Sequence, residues 1–356
     1  MAKSSNATRP ADAIERWGRN AIAPSLFHPL LFMKSLSSRQ LQYIGGGLGV
    51  GYGLLARFVF GFGHGTSDSF AVMTLSFLVG VPITLGFITV WCGEYRARFG
   101  WGRRVLMPWL ASVTFLGCCL LLMWEGVICI VLLLPLILVL SSVGGLLAGI
   151  IQQLFKSKRS KNYCVGVVAL LPFAAAPIEH LRSEAREIRT VENQIDIHAD
   201  RATVWRNIRS VPRIRDEENR ANFSHWLGFP RPVEARLEGS GVGAVRYASF
   251  ERGVLFIETI TEWRDEDRLV FSIKADTQHI PPTTFDEHVT VGGPYFDVLE
   301  GTYQLEDLGA GVIRLHLSSR QRLSTGFNAY THLWTEYLMS DLQGYILQII
   351  KRRCET

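Results

Sequence analysis

The sequence predicts an α-helical transmembrane bundle followed by an α+β domain. Two features of the chain carry this prediction. Before residue 180 the chain contains five long stretches without charged side chains, whereas after residue 190 apolar and polar residues alternate and then recur at helical spacing. The five stretches are residues 40–56, 69–93, 105–124, 126–155 and 162–178.

The lengths of these stretches decide which of them can cross a membrane. A helix needs about 20 apolar residues to cross the ~30 Å hydrocarbon layer, and the second, third and fourth stretches meet that length. The first meets it if the helix continues through Arg57 to about Phe62, with the Arg57 side chain reaching back to the interface. The fifth is shorter and contains Pro172 and Pro177, so it either spans with little tilt or lies along the interface.

Basic residues predict the orientation of the bundle. They occur before the first stretch, between the second and third, and between the fourth and fifth: Lys3, Arg9, Arg16, Arg19, Lys34 and Arg39, then Arg96, Arg98, Arg103 and Arg104, then Lys156, Lys158, Arg159 and Lys161. The positive-inside rule therefore predicts a cytoplasmic N-terminus. We expect the fifth stretch to span, which puts the C-terminal domain on the outer face, the periplasmic face in a Gram-negative cell. If it does not span, that domain is cytoplasmic.

These boundaries divide the chain into four parts. They are a cytoplasmic N-terminal segment at 1–39, a membrane domain of four or five transmembrane helices at 40–178, a juxtamembrane linker at 179–190 and a soluble domain at 191–356. The first 20 residues lack the apolar core of a cleavable signal peptide. The net charge of +5 is modest and part of it flanks the membrane stretches, so the sequence predicts a lipid bilayer as partner and no nucleic acid.

Small residues in the first stretch predict close helix packing. Gly45, Gly49 and Gly53 recur every four residues, a spacing that lets two helix backbones approach each other. The five stretches contain no acidic residue and no lysine. The membrane half therefore lacks the mid-depth ionisable groups that are typical of transporters and pumps.

The soluble part begins with a half-buried strand, because apolar and polar residues alternate over 191–198. Asp200 then provides an N-cap for a short helix. The chain ends in a long amphipathic helix, whose apolar residues recur every three or four positions from Phe327 to Ile349. Further strands are predicted at 231–237, 242–250, 253–263, 267–275, 286–291, 295–306 and 312–321.

Three short patterns in this part resemble a known family. The residues IDIHADRATVW at 195–205 look like an opening strand, a capped turn and a first helix; GSGVG at 239–243 looks like a turn into a sheet strand, and FIETITEW at 256–263 like the next strand. With the order of elements, they resemble the helix-grip fold of the START-like, or SRPBCC, superfamily, which includes polyketide cyclase-like proteins. The resemblance covers about residues 188–354. We recognise no family for the membrane half.

The resemblance implies an α+β helix-grip domain with a cavity between the sheet and the last helix, which holds a lipid or another apolar molecule. The residues predicted to form this ligand pocket are Arg246, Phe256, Glu258, Tyr303, Leu315, Tyr330 and Trp334. Aromatic residues at helical spacing also fill ordinary cores, so a packing role is the alternative for each of them.

Few residues offer catalytic or metal chemistry. Glu258 shares a strand face with apolar residues and is a candidate acid or base, although it could equally pair with Arg246. A second group of polar residues has no spacing typical of a metal site: Asp276, His279, Asp286, Glu287 and His288. The chain also lacks GxSxG, P-loop and dinucleotide motifs, and of its cysteines only Cys354 lies in the soluble part. We therefore predict no cofactor and no metal.

Three functions are compatible with the sequence. The first is a membrane-anchored domain that binds or transfers an apolar small molecule or lipid in a START-like pocket. The second is an enzyme, a cyclase or dehydratase acting on a polyketide or terpenoid, with Glu258 or His279 moving a proton. The third is a sensory or structural membrane protein without a ligand. The sequence favours the first, because only about a dozen residues join the last apolar stretch to the first strand.

Overall fold

A computed structural model describes residues 37–61, 71–94, 98–154, 158–180, 186–276 and 291–356, with the side chains of 158–162 and 180 left out. Most of the predicted N-terminal segment lies outside these residues. The predicted strand at 286–291 also does, apart from Val291, which forms an isolated parallel bridge with Phe296.

The first half is helical. Its helices are α1 (Ser38–Gly61), α2 (Val81–Gly93, preceded by a π-helical turn at Ser76–Gly80), α3 (Trp101–Leu121), α4 (Val127–Leu154) and α5 (Lys158–His180). By length and composition, α1, the continuous segment Ser76–Gly93, α3 and α4 are each able to cross a membrane. The apolar part of α5 is shorter, at Tyr163–Glu179.

Helix α5 runs antiparallel to α2 along the bundle. Near its start, Val165 packs in a cluster with Phe87 and Val90 of α2, and near its end Ala176 packs with Phe77 at the other end of the second apolar segment. The Glu179 carboxylate then accepts hydrogen bonds from the N–H groups of Leu75 and Ser76, at 2.6 and 2.8 Å. A carboxylate at this point stabilises the start of a helix, whose first N–H groups have no partner within the helix.

The prolines of α5 do not interrupt it. Pro172 has no N–H, so the carbonyl oxygen of Val168, four residues earlier, loses its donor within the helix. The hydroxyl of Thr84 in α2 donates to that oxygen at 3.3 Å, and the Tyr52 hydroxyl donates to the neighbouring carbonyl of Ala169 at 3.0 Å. The Thr84 hydroxyl thus replaces the donor that Pro172 removes, and an unpaired buried carbonyl is avoided.

Glycines bring the helices into backbone contact, as the sequence predicts. A Cβ atom on Gly45 would lie 2.5 Å from the carbonyl oxygen of Thr89 in α2, and one on Gly49 would collide with the Thr89 side chain. The same closeness joins α2 to α4, because Cβ atoms on Gly86 and Gly144 would each meet the other helix's backbone.

The Arg57 side chain extends toward the end of α1 and contacts the turn between α3 and α4. It is buried, its Nε donates to Glu125 Oε1 at 2.6 Å, and its Nη2 donates to the Trp124 carbonyl oxygen at 2.7 Å. A second buried pair joins Arg104 Nε to Glu94 Oε1, also at 2.6 Å. Pairing offsets the high cost of burying each charge alone.

The second half is one seven-stranded antiparallel sheet in the order β1-β7-β6-β5-β4-β3-β2. The strands are β1 (Glu187–His198), β2 (Pro232–Glu238), β3 (Val245–Phe250), β4 (Leu255–Arg264), β5 (Arg268–Asp276), β6 (Phe296–Gly309) and β7 (Val312–Leu323). Strand β1 begins inside the segment predicted as a linker. The helices are α6 (Arg201–Arg209), α7 (Phe223–Leu227) and α8 (Asn328–Cys354).

This half has the START-like, helix-grip arrangement that the sequence predicts, with the sheet curled around the long helix α8. As expected, the Asp200 carboxylate caps α6 by accepting from the Thr203 N–H at 2.7 Å. The main core lies at the end of the sheet near the C-terminus of α8, where Ile197, Leu315 and Ile350 are fully or almost fully buried.

The glycine contacts give a stability prediction. Gly45→Ala should lower stability by about 1–3 kcal/mol, because the added methyl group overpacks the contact with Thr89. Gly47→Ala is the matched control, since nothing lies within 4 Å of that position and it should be neutral or stabilising. The thermal unfolding midpoints of both variants in detergent micelles test this. Equal midpoints would show that the α1–α2 contact does not limit stability.

Candidate functional site

The centre of the candidate site is a buried ion pair between two neighbouring strands. Arg246 on β3 lies directly opposite Glu258 on β4, and the two residues are 3% and 5% exposed. Arg246 Nε donates a hydrogen bond to Glu258 Oε2, and Nη1 donates to the carbonyl oxygen of Ile208 at 2.6 Å. The guanidinium is therefore held by partners from a strand and from helix α6.

Aromatic rings complete the surroundings of the guanidinium. The Arg246 Cζ atom lies 4.3 Å from the centre of the Phe271 ring and 5.6 Å from that of Tyr303, within the range of a cation–π interaction. Gly301 makes room for the Phe271 ring, because a Cβ atom at position 301 would lie 2.5 Å from the ring atoms of Phe271. The Arg246 guanidinium thus contacts two aromatic rings as well as the Glu258 carboxylate.

Burial shapes the protonation chemistry of this group. It raises the pKa of the Glu258 carboxyl, while the adjacent Arg246 opposes the rise by favouring the carboxylate. Burial also raises the pKa of the Tyr303 phenol, which Arg246 opposes as well, so Tyr303 keeps its proton at neutral pH. Arg246 and Tyr303 offer hydrogen-bond donors and the Glu258 carboxylate offers acceptors, all in a buried environment where polar contacts are strong.

A cavity of about 290 Å³ extends from this ion pair between the sheet and helix α8, close to the lower end of the ~300–1,000 Å³ typical of small-molecule sites. Its walls are mostly apolar. From the sheet they include Ala248, Phe256, Phe271, Ile273, Val298 and Leu317, and from α8 Trp334, Leu338, Leu342, Ile346 and Ile349.

The cavity is completed by the helical first half of the chain. The residues of that half that line it are Met73, which precedes the segment Ser76–Gly93, and Cys129, Leu132 and Leu133 near the start of α4. The Tyr330 hydroxyl of α8 donates to the Leu132 carbonyl oxygen at 2.5 Å. The end of the cavity away from the main core therefore faces the helical bundle.

Comparisons with solved structures find several proteins that match about half of this chain at low sequence identity. A START superfamily protein from Mycobacterium smegmatis is 9% identical and matches 47% of this chain and 97% of its own, with a TM-score of 0.31. Truncated norcoclaurine synthase from Thalictrum flavum is 10% identical over 48% of this chain and 97% of its own, with a TM-score of 0.29.

DynU16, a protein in the dynemicin biosynthetic locus, is 17% identical over 47% of this chain, with a TM-score of 0.29. The match spans about half of DynU16's own length, 48%. No protein-family model matches the chain, and none of the curated proteins compared with it matches significantly. The START-like fold is assigned on the strand order and the final helix, and the similarities carry no functional argument.

The structure brings most of the predicted pocket residues together. Those that line the cavity are Arg246, Phe256, Glu258, Tyr303, Tyr330 and Trp334. Leu315 does not, because it is fully buried in the main core with Leu347 and Ile350 of α8. Leu317, two residues along the same face of β7, lines the cavity instead. Whether these residues contact a ligand stays a prediction.

A polar residue that the sequence analysis missed holds α8 to the sheet beside the cavity. Gln343 lines the cavity and is 2% exposed; its Nε2 donates to the carbonyl oxygen of Val191 at 3.1 Å and to Ser319 Oγ at 2.9 Å. Asn193 Nδ2 donates to Gln343 Oε1 at 2.8 Å. The sequence does contain a signal for this role, because Gln343 is a polar residue among the regularly spaced apolar residues of the last helix.

The candidate metal ligands cannot be assembled from this structure. His279, Asp286, Glu287 and His288 lie outside the described residues, and Asp276 is at the end of β5. Within the described ranges, no group of three or more His, Cys, Asp and Glu side chains is placed to hold a metal ion.

The buried ion pair gives a second stability prediction. Glu258→Met should destabilise the protein by about 3–5 kcal/mol, because it leaves the Arg246 charge buried without its carboxylate. The double variant Arg246→Met with Glu258→Met should be more stable than this single variant, since no unpaired charge is left. Thermal unfolding of the wild type, both single variants and the double variant gives the coupling. A double variant at least as unstable as Glu258→Met would contradict the assignment of the cost to an unpaired charge.

Proposed function

We propose that this protein binds or transfers an apolar small molecule or lipid in its START-like cavity at a membrane surface. The observation that carries the proposal is the apolar cavity of about 290 Å³ beside a buried ion pair. An empty cavity of this size costs several kcal/mol, on the order of 24 cal/mol per Å³, because its walls lack packing partners. An apolar ligand that fills it recovers that packing.

The polar residues of the cavity indicate that the ligand also has a polar group. Arg246 and Tyr303 line the cavity, and both provide hydrogen-bond donors. A ligand with an apolar body and one hydroxyl, carbonyl or carboxyl group could bury its apolar part along α8 and satisfy its polar group here. A ligand without any polar group would make no hydrogen bond with Arg246 or Tyr303.

The enzyme alternative, a cyclase or dehydratase, has less support. It requires a side chain free to move a proton, and within the cavity Glu258 is the candidate. Its Oε2 accepts the Arg246 Nε hydrogen bond, so the carboxylate is engaged in the ion pair. His279, the other candidate, lies outside the described residues. Binding without catalysis is therefore the function that we favour.

We further propose a cytoplasmic N-terminus and a START-like domain on the outer face, periplasmic in a Gram-negative cell. The basic loops support this orientation. The antiparallel contacts of α5 with both ends of the segment Ser76–Gly93 support a fifth crossing. An odd number of crossings separates the two termini.

Extraction of the purified protein tests the binding function. Organic extracts analysed by mass spectrometry should contain an apolar compound in amounts close to that of the protein. Ala248→Trp places a ring in the cavity, since Ala248 lines it, and should abolish retention. Ala202→Trp makes the same change at an exposed position and should retain the compound. A folded wild-type protein that yields only bulk lipid and detergent would contradict the proposal.

Reporter fusions test the orientation. A reporter enzyme that is active only outside the cytoplasm should be active when it is fused after Thr356. A reporter enzyme that is active only inside the cytoplasm should be active when it is fused between Glu94 and Arg98. The reason is that five crossings place these two points on opposite faces. A cytoplasmic signal at Thr356 would remove α5 from the spanning helices.

A further inference from the structure

Only one layer of side chains separates part of the cavity from the outside of the protein. On α8, Tyr330 and Trp334 line the cavity, and the neighbouring face carries Leu333 and Tyr337, which are 63% and 52% exposed. Residues three or four positions apart lie side by side on a helix. The outer surface next to the cavity is therefore apolar and aromatic.

Helix α7 extends this outer surface. Trp226 is 74% exposed, and the Phe223 ring lies 5.9 Å from that of Trp226 and 5.4 Å from that of Tyr337. We call Phe223, Trp226, Leu333 and Tyr337 the aromatic surface. A contiguous exposed apolar surface of this kind marks a site of contact with another apolar phase or partner.

The position of the aromatic surface identifies what covers it. Leu227 of α7 and Leu338 of α8 pack with Ile128, the second residue of α4, in one cluster. The aromatic surface thus lies beside the end of a helix that is long and apolar enough to cross a membrane. Trp and Tyr concentrate at the level where such helices leave the hydrocarbon layer.

From the cavity lining and the aromatic surface together, we infer that the cavity exchanges its ligand directly with the adjacent leaflet, through the seam between α4 and α8. The ligand is then an amphiphile that resides in the bilayer, such as one with a single long chain. This inference rests on the proposed binding function. The seam is formed by Leu132 on one side and by Tyr330 and Trp334 on the other.

The local chemistry of the seam favours passage of an apolar chain. Across the seam the Tyr330 hydroxyl donates a hydrogen bond to the Leu132 carbonyl, next to the apolar cluster that contains Ile128 and Leu338. Such a hydrogen bond contributes little net stability when its groups find other partners, and apolar packing does not oppose an apolar chain. The lining beyond the seam is mostly apolar, with scattered polar side chains such as Thr331 and Thr335. An entering chain therefore does not have to cross water.

Photolabelling of the full-length protein in vesicles tests the inference. One probe is a diazirine analogue of palmitic acid, which resides in the bilayer, and the other is a diazirine analogue of octanoic acid, which is supplied in the water. After illumination, mass spectrometry maps the adducts. The bilayer probe should label the deep cavity residues Phe256, Phe271 and Tyr303, and label them more than the water-borne probe does.

Blocking the seam provides the decisive comparison. Leu132→Trp should lower labelling of the deep residues by about tenfold, within the range that an overpacked side chain costs. Val139→Trp is the matched control, because it lies two turns further along α4 and is 62% exposed; it should leave deep labelling unchanged. Equal labelling of lipid-facing α3 and α4 residues shows that each variant is inserted. Trp334→Ala, which thins the wall, should speed deep labelling.

The outcomes separate the inference from the function beneath it. The inference of exchange through the seam would be overturned if Leu132→Trp left deep labelling by the bilayer probe unchanged. It would also be overturned if Trp334→Ala did not speed that labelling. Deep labelling by the water-borne probe alone would also overturn it, while the binding function stands. Absence of deep labelling with either probe would contradict the binding function itself.

Discussion

Helix α8 packs against both the sheet and the helices of the first half. The candidate site depends on this double contact. Its buried side chains are concentrated in its second half, where Leu347 and Ile350 pack into the main core of the sheet. Its first half lines the cavity with Tyr330 and Trp334 and contacts helix α4 through the Tyr330 hydroxyl. The space left between these contacts is the cavity. A helix that packed on the sheet along its whole length would close that space.

Much of this architecture could be predicted from the sequence, because it depends on local patterns. The period of the apolar residues predicts the strands and α8, and the length of the charge-free stretches predicts the spanning helices. The spacing of Gly45 and Gly49 predicts a close helix contact without naming the partner. The order of elements predicts the START-like fold, and with it a cavity between sheet and helix.

The features that the sequence could not give depend on distant partners. Arg57 looks like a charge near the end of a span, but its partner Glu125 comes 68 residues later. Leu315 and Leu317 share one face of β7, and only the position at which α8 leaves the sheet decides that Leu317 borders the cavity. The participation of α4 in the cavity wall likewise follows from how the two halves dock, which no periodicity encodes.

The contact between Tyr330 and Leu132 has a consequence for how this protein can evolve. The donor is a side chain, whereas the acceptor is a backbone carbonyl. Any residue of similar size that keeps α4 helical at position 132 preserves the acceptor, so the helical half can vary that side chain without losing this hydrogen bond. Position 330 has no such freedom, because only a long side chain ending in a donor reaches across. For this hydrogen bond the sequence constraint therefore falls on position 330, whereas the apolar contact of Ile128 with Leu227 and Leu338 constrains both halves.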